Sequence, residues 1–267
     1  MTQTSQVVLR VLVACEKSGR VRDAFRARGH DAWSCDLQPS DTPGPHFQCD
    51  ARDVLDRNWD LLIAHPPCTY LAASGYHWTV RGFRPESKTL EAMEFVRALW
   101  NAPVKHVAIE NPVGVLSTRW KAPSQIVHPW MFGSDASKAT CFWLRNLPEL
   151  KPNAIVPPVG WFLVNSFNTK PPPGCRLFLG KRFGVLFGCF VERGETPFPM
   201  RWSNQRPDGR DVSPWDEKGA EERAITWPGV ARAMAEQWGG FLERLYAKRT
   251  PPALEPAAAR HLCERNA

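Results

Sequence analysis

Short apolar runs, each stopped by an acid, a proline or a polar turn, recur along the first half of the chain. Residues 7–15 are apolar apart from Arg10, residues 60–63 read Asp-Leu-Leu-Ile, and residues 106–112 read His-Val-Ala-Ile-Glu-Asn-Pro. Near-continuous apolarity, rather than strict alternation, predicts strands buried on both faces, hence a parallel sheet. Residues 31–36 form a further such run ending in Asp36, residues 47–50 lead into a helical turn over 51–55, and residues 140–144 make a later strand. Helical stripes lie between them. Val21, Ala24 and Phe25 give a short one that ends at Gly29, and Thr89, Met93, Val96 and Trp100 mark one face of a helix over residues 86–102. The opening unit is therefore strand, polar turn, helix, strand, carboxylate, a βαβ unit. The predicted fold class is α/β, a doubly wound, mostly parallel sheet.

Elsewhere the pattern breaks down. Residues 70–85 are polar and aromatic with no period and predict a mobile loop, and residues 113–138 are irregular. From residue 147 to about 223, prolines and glycines interrupt every run, while arginines such as Arg176, Arg182 and Arg201 interleave with Phe178, Phe187 and Trp202. This reads as a small, irregular, β-rich lobe, whose aromatics form its own core and whose arginines suit phosphate contact. A last helix starts at Trp227-Pro228-Gly229 with Thr226 as its cap, and buries Val230, Met234, Trp238, Phe241 and Leu245. The expected divisions are an α/β domain over 1–146, the lobe over 147–223, a returning helix over 224–249, and a Pro/Ala-rich mobile tail over 250–267.

Composition narrows the class without naming it. The formal net charge of +7 permits a polyanionic partner. The eight cysteines include no Cys-x-x-Cys pair and no Cys/His cluster with zinc spacing, so no metal site is expected. Several sit inside apolar runs, which suits reduced, buried thiols in a cytoplasmic protein. No signal peptide and no membrane helix are expected, because no stretch approaches the ~20 apolar residues a span needs.

The chemistry-bearing residues gather at strand ends. Cys68 stands just beyond Pro66-Pro67, which stop a strand because proline offers no backbone donor. It reads either as a small buried residue in a turn or as a thiol that meets a ligand. Glu110 and Asn111 stand at the end of the next buried strand, again before a proline. Neighbouring parallel strands deliver such ends to one crevice, so Cys68 and Glu110 are expected to face each other. Asp36 suits the two hydroxyls of a ribose. Asp50 suits an exocyclic amine or the capping of its own turn. In the 70–85 segment, Tyr76, Trp78, Arg81 and Arg84 suit bases and phosphates.

The run from Asp60 to Cys68, followed by Ala108-Ile109-Glu110-Asn111-Pro112, resembles the cytosine-5 DNA methyltransferase family, and most of all its short phage- or prophage-type members. These enzymes carry Pro-Cys after one strand and Glu-Asn after the next. The resemblance covers about the first 145 residues. It implies a Rossmann-like S-adenosylmethionine-dependent methyltransferase fold, with Cys68 adding to cytosine C6 and S-adenosyl-L-methionine supplying the methyl group for C5. Glu110 would hold the N3 and amino edge, and donation to N3 requires it protonated, so burial is expected to raise its pKa. Asn111 would hold the adjoining loop and Lys138 would orient Glu110 or a phosphate. The cofactor residues implied are Cys15, Glu16, Ser18 and Gly19 in the first turn, Asp36 with Leu37, Asp50 with Ala51, and Pro66. The implied partner is DNA with a flipped or single-stranded cytosine, bound by Tyr76, Trp78, Arg81, Arg84, Arg182 and Arg201, and the protein is expected to be a monomer.

Three motifs depart from the family. Cys15-Glu16-Lys17-Ser18-Gly19 replaces a Phe-x-Gly-x-Gly turn. Ala136, Lys138 and Thr140 answer a Gln-x-Arg-x-Arg motif. Gly229-Val230-Ala231 answers a Gly-Asn turn. Two other functions stay open: a related enzyme that transfers a different one-carbon or carboxylated group to a pyrimidine C5, and a non-catalytic DNA-binding protein that retains the fold.

Overall fold

The computed structural model describes residues 7–158, 160–161, 176–182, 185–192, 200–205 and 225–248, with backbone only in the strands between 160 and 201. A seven-stranded sheet organises them. Its strands are β1 (Arg10–Ala14), β2 (Asp31–Asp36), β3 (His46–Gln48), β4 (Leu61–Ala64), β5 (His106–Pro112), β6 (Gln125–Val127) and β7 (Thr140–Arg145). The order across the sheet is β3-β2-β1-β4-β5-β7-β6. β1 to β5 are mutually parallel, and β7 runs antiparallel to both β5 and β6. The doubly wound, mostly parallel sheet expected from the apolar runs is the one observed, and it is Rossmann-like, as the resemblance implies.

Alternate residues of each central strand face opposite layers, which is why the runs are continuously apolar. Val11, Val13, Leu61, Ile63, Ala108 and Phe142 pack against helix α1 (Arg20–Arg26) and the C-terminal helical stretch. Leu12, Ala14, Leu62, Ala64, Val107, Ile109 and Trp143 pack on the other face, against a 3-10 turn (Ala51–Val54) and the long helix that carries Met93, Val96 and Leu99. Strand order reverses between β1 and β4. Loops leaving the two strands diverge there, opening a crevice at the carboxyl edge.

The irregular stretches hold more structure than their sequence suggests. Residues 70–85 contain helix α2 (Ala73–Val80), which corrects the expected loop, and α3 (Glu86–Trp100) follows. Only Thr79 is buried on α2, so the helix leaves no apolar stripe to read. Residues 113–138 contain α4 (Val115–Arg119), the edge strand β6 and a 3-10 turn (Pro129–Met131).

Beyond β7, strands β8 (Gly160–Trp161), β9 (Arg176–Arg182), β10 (Val185–Glu192) and β11 (Met200–Arg201) form two antiparallel pairs, β9 with β10 and β8 with β11. Trp202 stacks on Trp130 at 5.1 Å and donates from Nε1 to the Val156 carbonyl at 3.1 Å. The last helix runs as α5 (Pro228–Met234), a π turn (Ala235–Gly239) and α6 (Gly240–Ala247). Its first turn is entered from Trp227 with no side-chain cap, so the capping role expected of Thr226 is not filled. Gly229 allows α5 to dock, since a Cβ there would lie 1.7 Å from the Phe132 carbonyl oxygen. Among the described residues, no helix is long and apolar enough to cross a membrane, and no group of three or more His, Cys, Asp or Glu could hold a metal ion.

Candidate active site

Register alone brings three side chains into a row. Ala14 pairs with Ala64, and Ala64 pairs with Ile109. The next residues, Cys15, His65 and Glu110, therefore stand side by side at the carboxyl edge, across the point where strand order reverses. The His65 amide donates to the Ala14 carbonyl at 2.9 Å. Pro66 and Pro67 then end the ladder, having no amide hydrogen to continue it. The chain turns at Cys68, whose carbonyl accepts from the Leu71 and Ala72 amides at 3.0 and 2.8 Å.

The Cys68 turn and the Glu110–Asn111 segment are strapped together. The buried Asn111 amide donates from Nδ2 to the Pro66 carbonyl at 2.8 Å. Beyond it, Val115 N–H donates to the Leu71 carbonyl (2.8 Å) and Ala73 N–H to the Val113 carbonyl (3.1 Å). These segments run so close that a Cβ on Gly114 would meet the Leu71 carbonyl oxygen at 2.0 Å. Gly75 plays the same part for α2, where a Cβ would lie 2.0 Å from the Thr69 carbonyl oxygen. Arg84 donates to that same Thr69 carbonyl at 3.0 Å and lies over the Tyr70 ring at 5.3 Å.

A pocket of about 370 Å³ opens above this edge, lined by Cys15, His65, Pro66, Cys68, Glu110, Asn111 and Lys138 among others. All four residues expected to do the chemistry, Cys68, Glu110, Asn111 and Lys138, meet in it. Cys68 is half-buried. His65 Nδ1–H donates to Glu110 Oε2 at 3.1 Å, and both side chains are largely buried. Burial pushes the Glu110 carboxyl up, but the His65 hydrogen bond and the charges of Lys138 and His65 outweigh it and hold the carboxyl below its ordinary range. The expected raised pKa is thus corrected: the burial was anticipated and the histidine was not. Cys141, paired with Asn111 across β5 and β7, is pushed up to about 11 by burial first and then by the Glu110 charge.

His65, in the lining of the pocket, is one residue that sequence reasoning passed over. Strand register sets it beside Glu110, and register cannot be read from an unbroken apolar run. Asn204 is another. Its side chain accepts from Ser137 N–H at 2.8 Å and donates to the Ser137 carbonyl at 3.0 Å, fixing the turn that presents Lys138. The neighbouring motif positions are structural: Ala136 is fully buried, and Thr140 begins β7 with its hydroxyl donated to the Lys138 carbonyl.

The cofactor-side residues divide differently. Cys15 and Pro66 line the pocket, while Glu16, Ser18, Gly19, Asp36, Leu37, Asp50 and Ala51 lie outside its lining. Cys15 adopts a left-handed backbone at φ 58°, and burial first, then Asp36, pushes its thiol well above the usual range. Glu16 is buried and turned inward. It accepts from Val21 N–H at 2.7 Å, Arg22 N–H at 3.2 Å and the Ser18 hydroxyl at 3.3 Å, capping α1. Burial raises its carboxyl, against the opposing pull of His65 and these amides. Gly19 sits at φ 71°, where a Cβ would strike the buried Arg22 guanidinium. Asp50 accepts from Arg52 N–H at 2.9 Å and pairs with its guanidinium at 2.6 Å, which holds the carboxyl low. Of its two expected uses, capping is the one realised in this structure. Ala51 is buried beneath it. Asp36 accepts one hydrogen bond, from Gln38 N–H at 2.9 Å, and Leu37 beside it is 72% exposed. An acid at a strand end with an apolar side chain open beside it fits a ribose and the face of an adenine, so the residues present fit S-adenosylmethionine at that end.

The residues expected to touch nucleic acid are partly committed elsewhere. Tyr76 accepts from Arg119 at 3.1 Å, and Arg84 holds the Cys68 turn. Trp78 and Arg81 are exposed, with Trp78 edge-on to the exposed Phe83 at 5.5 Å. Arg182 and Arg201 lie on the backbone of β9 and β11, and their side chains fall outside the described residues.

No protein-family model and no curated protein matches the chain. Among solved structures, the crystal structure of the S. pombe Dnmt2 methyltransferase is similar at 17% identity, over 54% of this chain and 51% of that one, with a TM-score of 0.38. The chain thus spans about half the length of that protein.

Proposed function

We propose that the chain is a DNA (cytosine-5)-methyltransferase in which Cys68 is the nucleophile. One observation carries this reading: the Cys68 turn and the Glu110–Asn111 segment are joined by the 2.8 Å bond from Asn111 to the Pro66 carbonyl and face one pocket. A thiol and a carboxylate held together in that way suit a flat heterocycle attacked at one edge and gripped at the other. Cys68 adds to C6, Glu110 meets N3 and the exocyclic amine, and Asn111 keeps the two at a fixed separation. Covalent addition of this kind splits one difficult step into easier ones. S-adenosylmethionine, when bound, supplies the electrophilic methyl group. Asp36 and Leu37 would hold its ribose and adenine, and Pro66 and Cys15 would face the donor end.

The pocket lies at the rim of the sheet, beyond reach of a stacked base, so the target nucleotide is extruded or single-stranded. The exposed Trp78 and Arg81, and the net charge of +7, suit the strand that carries it. Residues 147–223 act as the target-reading lobe, residues 1–146 as the catalytic domain and residues 224–249 as the helix that closes it, in a monomer. The test is covalent trapping on DNA carrying 5-fluorocytosine in the presence of S-adenosylmethionine. A complex that forms with the wild-type chain and not with Cys68→Ala supports the reading. Tight DNA binding with no Cys68-dependent complex overturns it in favour of a DNA-binding protein. One observation favours a second reading, in which a different one-carbon or carboxylated group reaches C5: Ala136 and Thr140 are built into the core, which leaves Lys138 as the pocket's contribution from that motif. Mass analysis of the product nucleosides separates the two.

A further inference from the structure

We propose that His65 is the proton store behind Glu110: its Nδ1 holds the proton that Glu110 passes to the base when Cys68 adds. This role rests on the cytosine reading above and assigns a positioning residue to it. The geometry is direct. His65 Nδ1 is 3.1 Å from Glu110 Oε2, and the imidazole is more than nine-tenths buried. His65 lines the same pocket as Cys68, three residues earlier on the same turn. Its other nitrogen, Nε2, is buried without a hydrogen-bond partner, so the ring's polar contact with the protein is the one to Glu110.

A need follows from the electrostatics. Addition to C6 requires a proton at N3, yet the Glu110 carboxyl is held below its ordinary range by His65 and Lys138. An anionic Glu110 accepts hydrogen bonds and has no proton to give. The imidazolium paired with it does. The step then balances as follows. The Cys68 thiolate forms the S–C6 bond, and the C5=C6 π pair shifts through C4 to N3. N3 takes a proton from Glu110, and Glu110 takes one from Nδ1 of the His65 imidazolium, which is left as a neutral ring with its remaining proton on Nε2. When the thiolate leaves again, the proton returns from N3 to the pair, so His65 and Glu110 end as they began. The charged and titratable groups facing the pair are Glu16 on the turn after β1, Cys15 beside it, Cys68 on the His65 turn, Lys138 before β7 and Cys141 on β7.

The test uses exchange of the cytosine C5 hydrogen with water, which needs addition and N3 protonation but no methyl donor. DNA carrying cytosine tritiated at C5 is incubated with the full chain and tritium release is followed against pH. His65→Asn places a neutral amide donor where Nδ1 sits. Glu110 keeps its hydrogen bond and its charge but loses its proton source, so release near neutral pH falls by about 10²-fold or more and recovers toward acid pH. His65→Phe removes the hydrogen bond. Burial then raises the Glu110 carboxyl, which draws its own proton from water, so this variant slows less than His65→Asn near neutral pH. A purely structural brace predicts the reverse order, with His65→Asn closest to wild type, and that order overturns the proposal. If His65→Phe does not fold, as judged by its melting curve, the pH profile of His65→Asn decides, and a profile with the wild-type shape and rate overturns the role. Wild-type exchange alongside unimpaired His65→Asn removes His65 alone. A wild-type chain that neither exchanges C5 hydrogen nor forms the Cys68 adduct removes the cytosine reading and this role with it.

Discussion

At the carboxyl edge of β4 and β5 the polar side chains reach across strands, while at the edge of β1, β2 and β3 the carboxylates of Glu16, Asp36 and Asp50 turn back on their own segments. Asn111 grips the Pro66 carbonyl and His65 grips Glu110, each joining positions 45 residues apart. Glu16 instead caps the helix that follows it, and Asp50 holds Arg52 two residues on. Both edges offer carboxylates at parallel strand ends, the usual setting for a ligand. The difference teaches that position alone does not make a site. What separates them is whether the acid's partner is local, where it stabilises a turn, or distant, where it sets a charge state inside a pocket. The comparison breaks if substitutions at the two edges fail to separate chemistry from stability.

The largest effect belongs to Cys68. Cys68→Ala removes the atom proposed to react, so adduct formation with 5-fluorocytosine DNA falls to background while the melting temperature stays near wild type, since the half-buried thiol fills little of the core. Next comes Glu110→Gln. The amide leaves His65 and Lys138 without the charge they surround, and turnover drops by about 10²–10⁴-fold, the scale of general acid–base assistance. Stability moves as well, with a definite sign. The folded carboxyl lies below its ordinary range, so its stabilising contribution is complete above that range and disappears as pH falls through the folded value. Urea midpoints of the two chains therefore differ at neutral pH and converge in acid. A gap that widens in acid would contradict the paired, anionic Glu110.

Much of this edge was legible before any coordinates. The runs 31–36 and 106–112 are strands at those very bounds, because continuous apolarity ended by an acid or a proline leaves little choice. The convergence of Cys68 and Glu110 followed from parallel order. The charge state of Glu110 did not follow, because its partner is fixed by strand register rather than by local spacing, and register is invisible in a run where every residue is apolar. Helix α2 escaped for a related reason. It buries only Thr79, and it is positioned by Gly75 against Thr69 and by backbone bonds to the Val113–Val115 segment. Arg22 gave no hint of burial, yet its guanidinium donates to Ser34, Ser40, Thr42 and Pro43 beneath the loop after β2. In each case the missing information was a contact distant in sequence.

Asn111 tests the same edge more gently. Asn111→Ala leaves the buried Pro66 carbonyl without its donor, which costs about 1–3 kcal/mol by the usual penalty for an unsatisfied buried group. Because that bond ties the Cys68 turn to Glu110, the rate of adduct formation falls further than stability alone explains. Equal loss of rate in a variant of matched stability with Asn111 intact would show that the strap has no positional role.

The smallest effect is expected at Glu16, and it probes the other edge. Glu16→Gln keeps one carbonyl oxygen for the Val21 or Arg22 amide, so the loss is of the order of a weakened helix cap, about 0.5–2 kcal/mol. Its pH dependence has the sign opposite to that of Glu110. Burial raises the Glu16 carboxyl, so the wild-type chain has its full contribution below the ordinary carboxylate range and loses it as pH rises through the raised value. Glutamine does not titrate, and the gap between the two chains narrows toward alkaline pH. Calorimetric titration with S-adenosylmethionine supplies the second readout. A carboxylate that only caps α1 leaves the dissociation constant within a few-fold of wild type. A large loss of cofactor affinity with an unchanged melting temperature would place Glu16 in the site after all, and the two edges would then differ in partner distance but not in purpose.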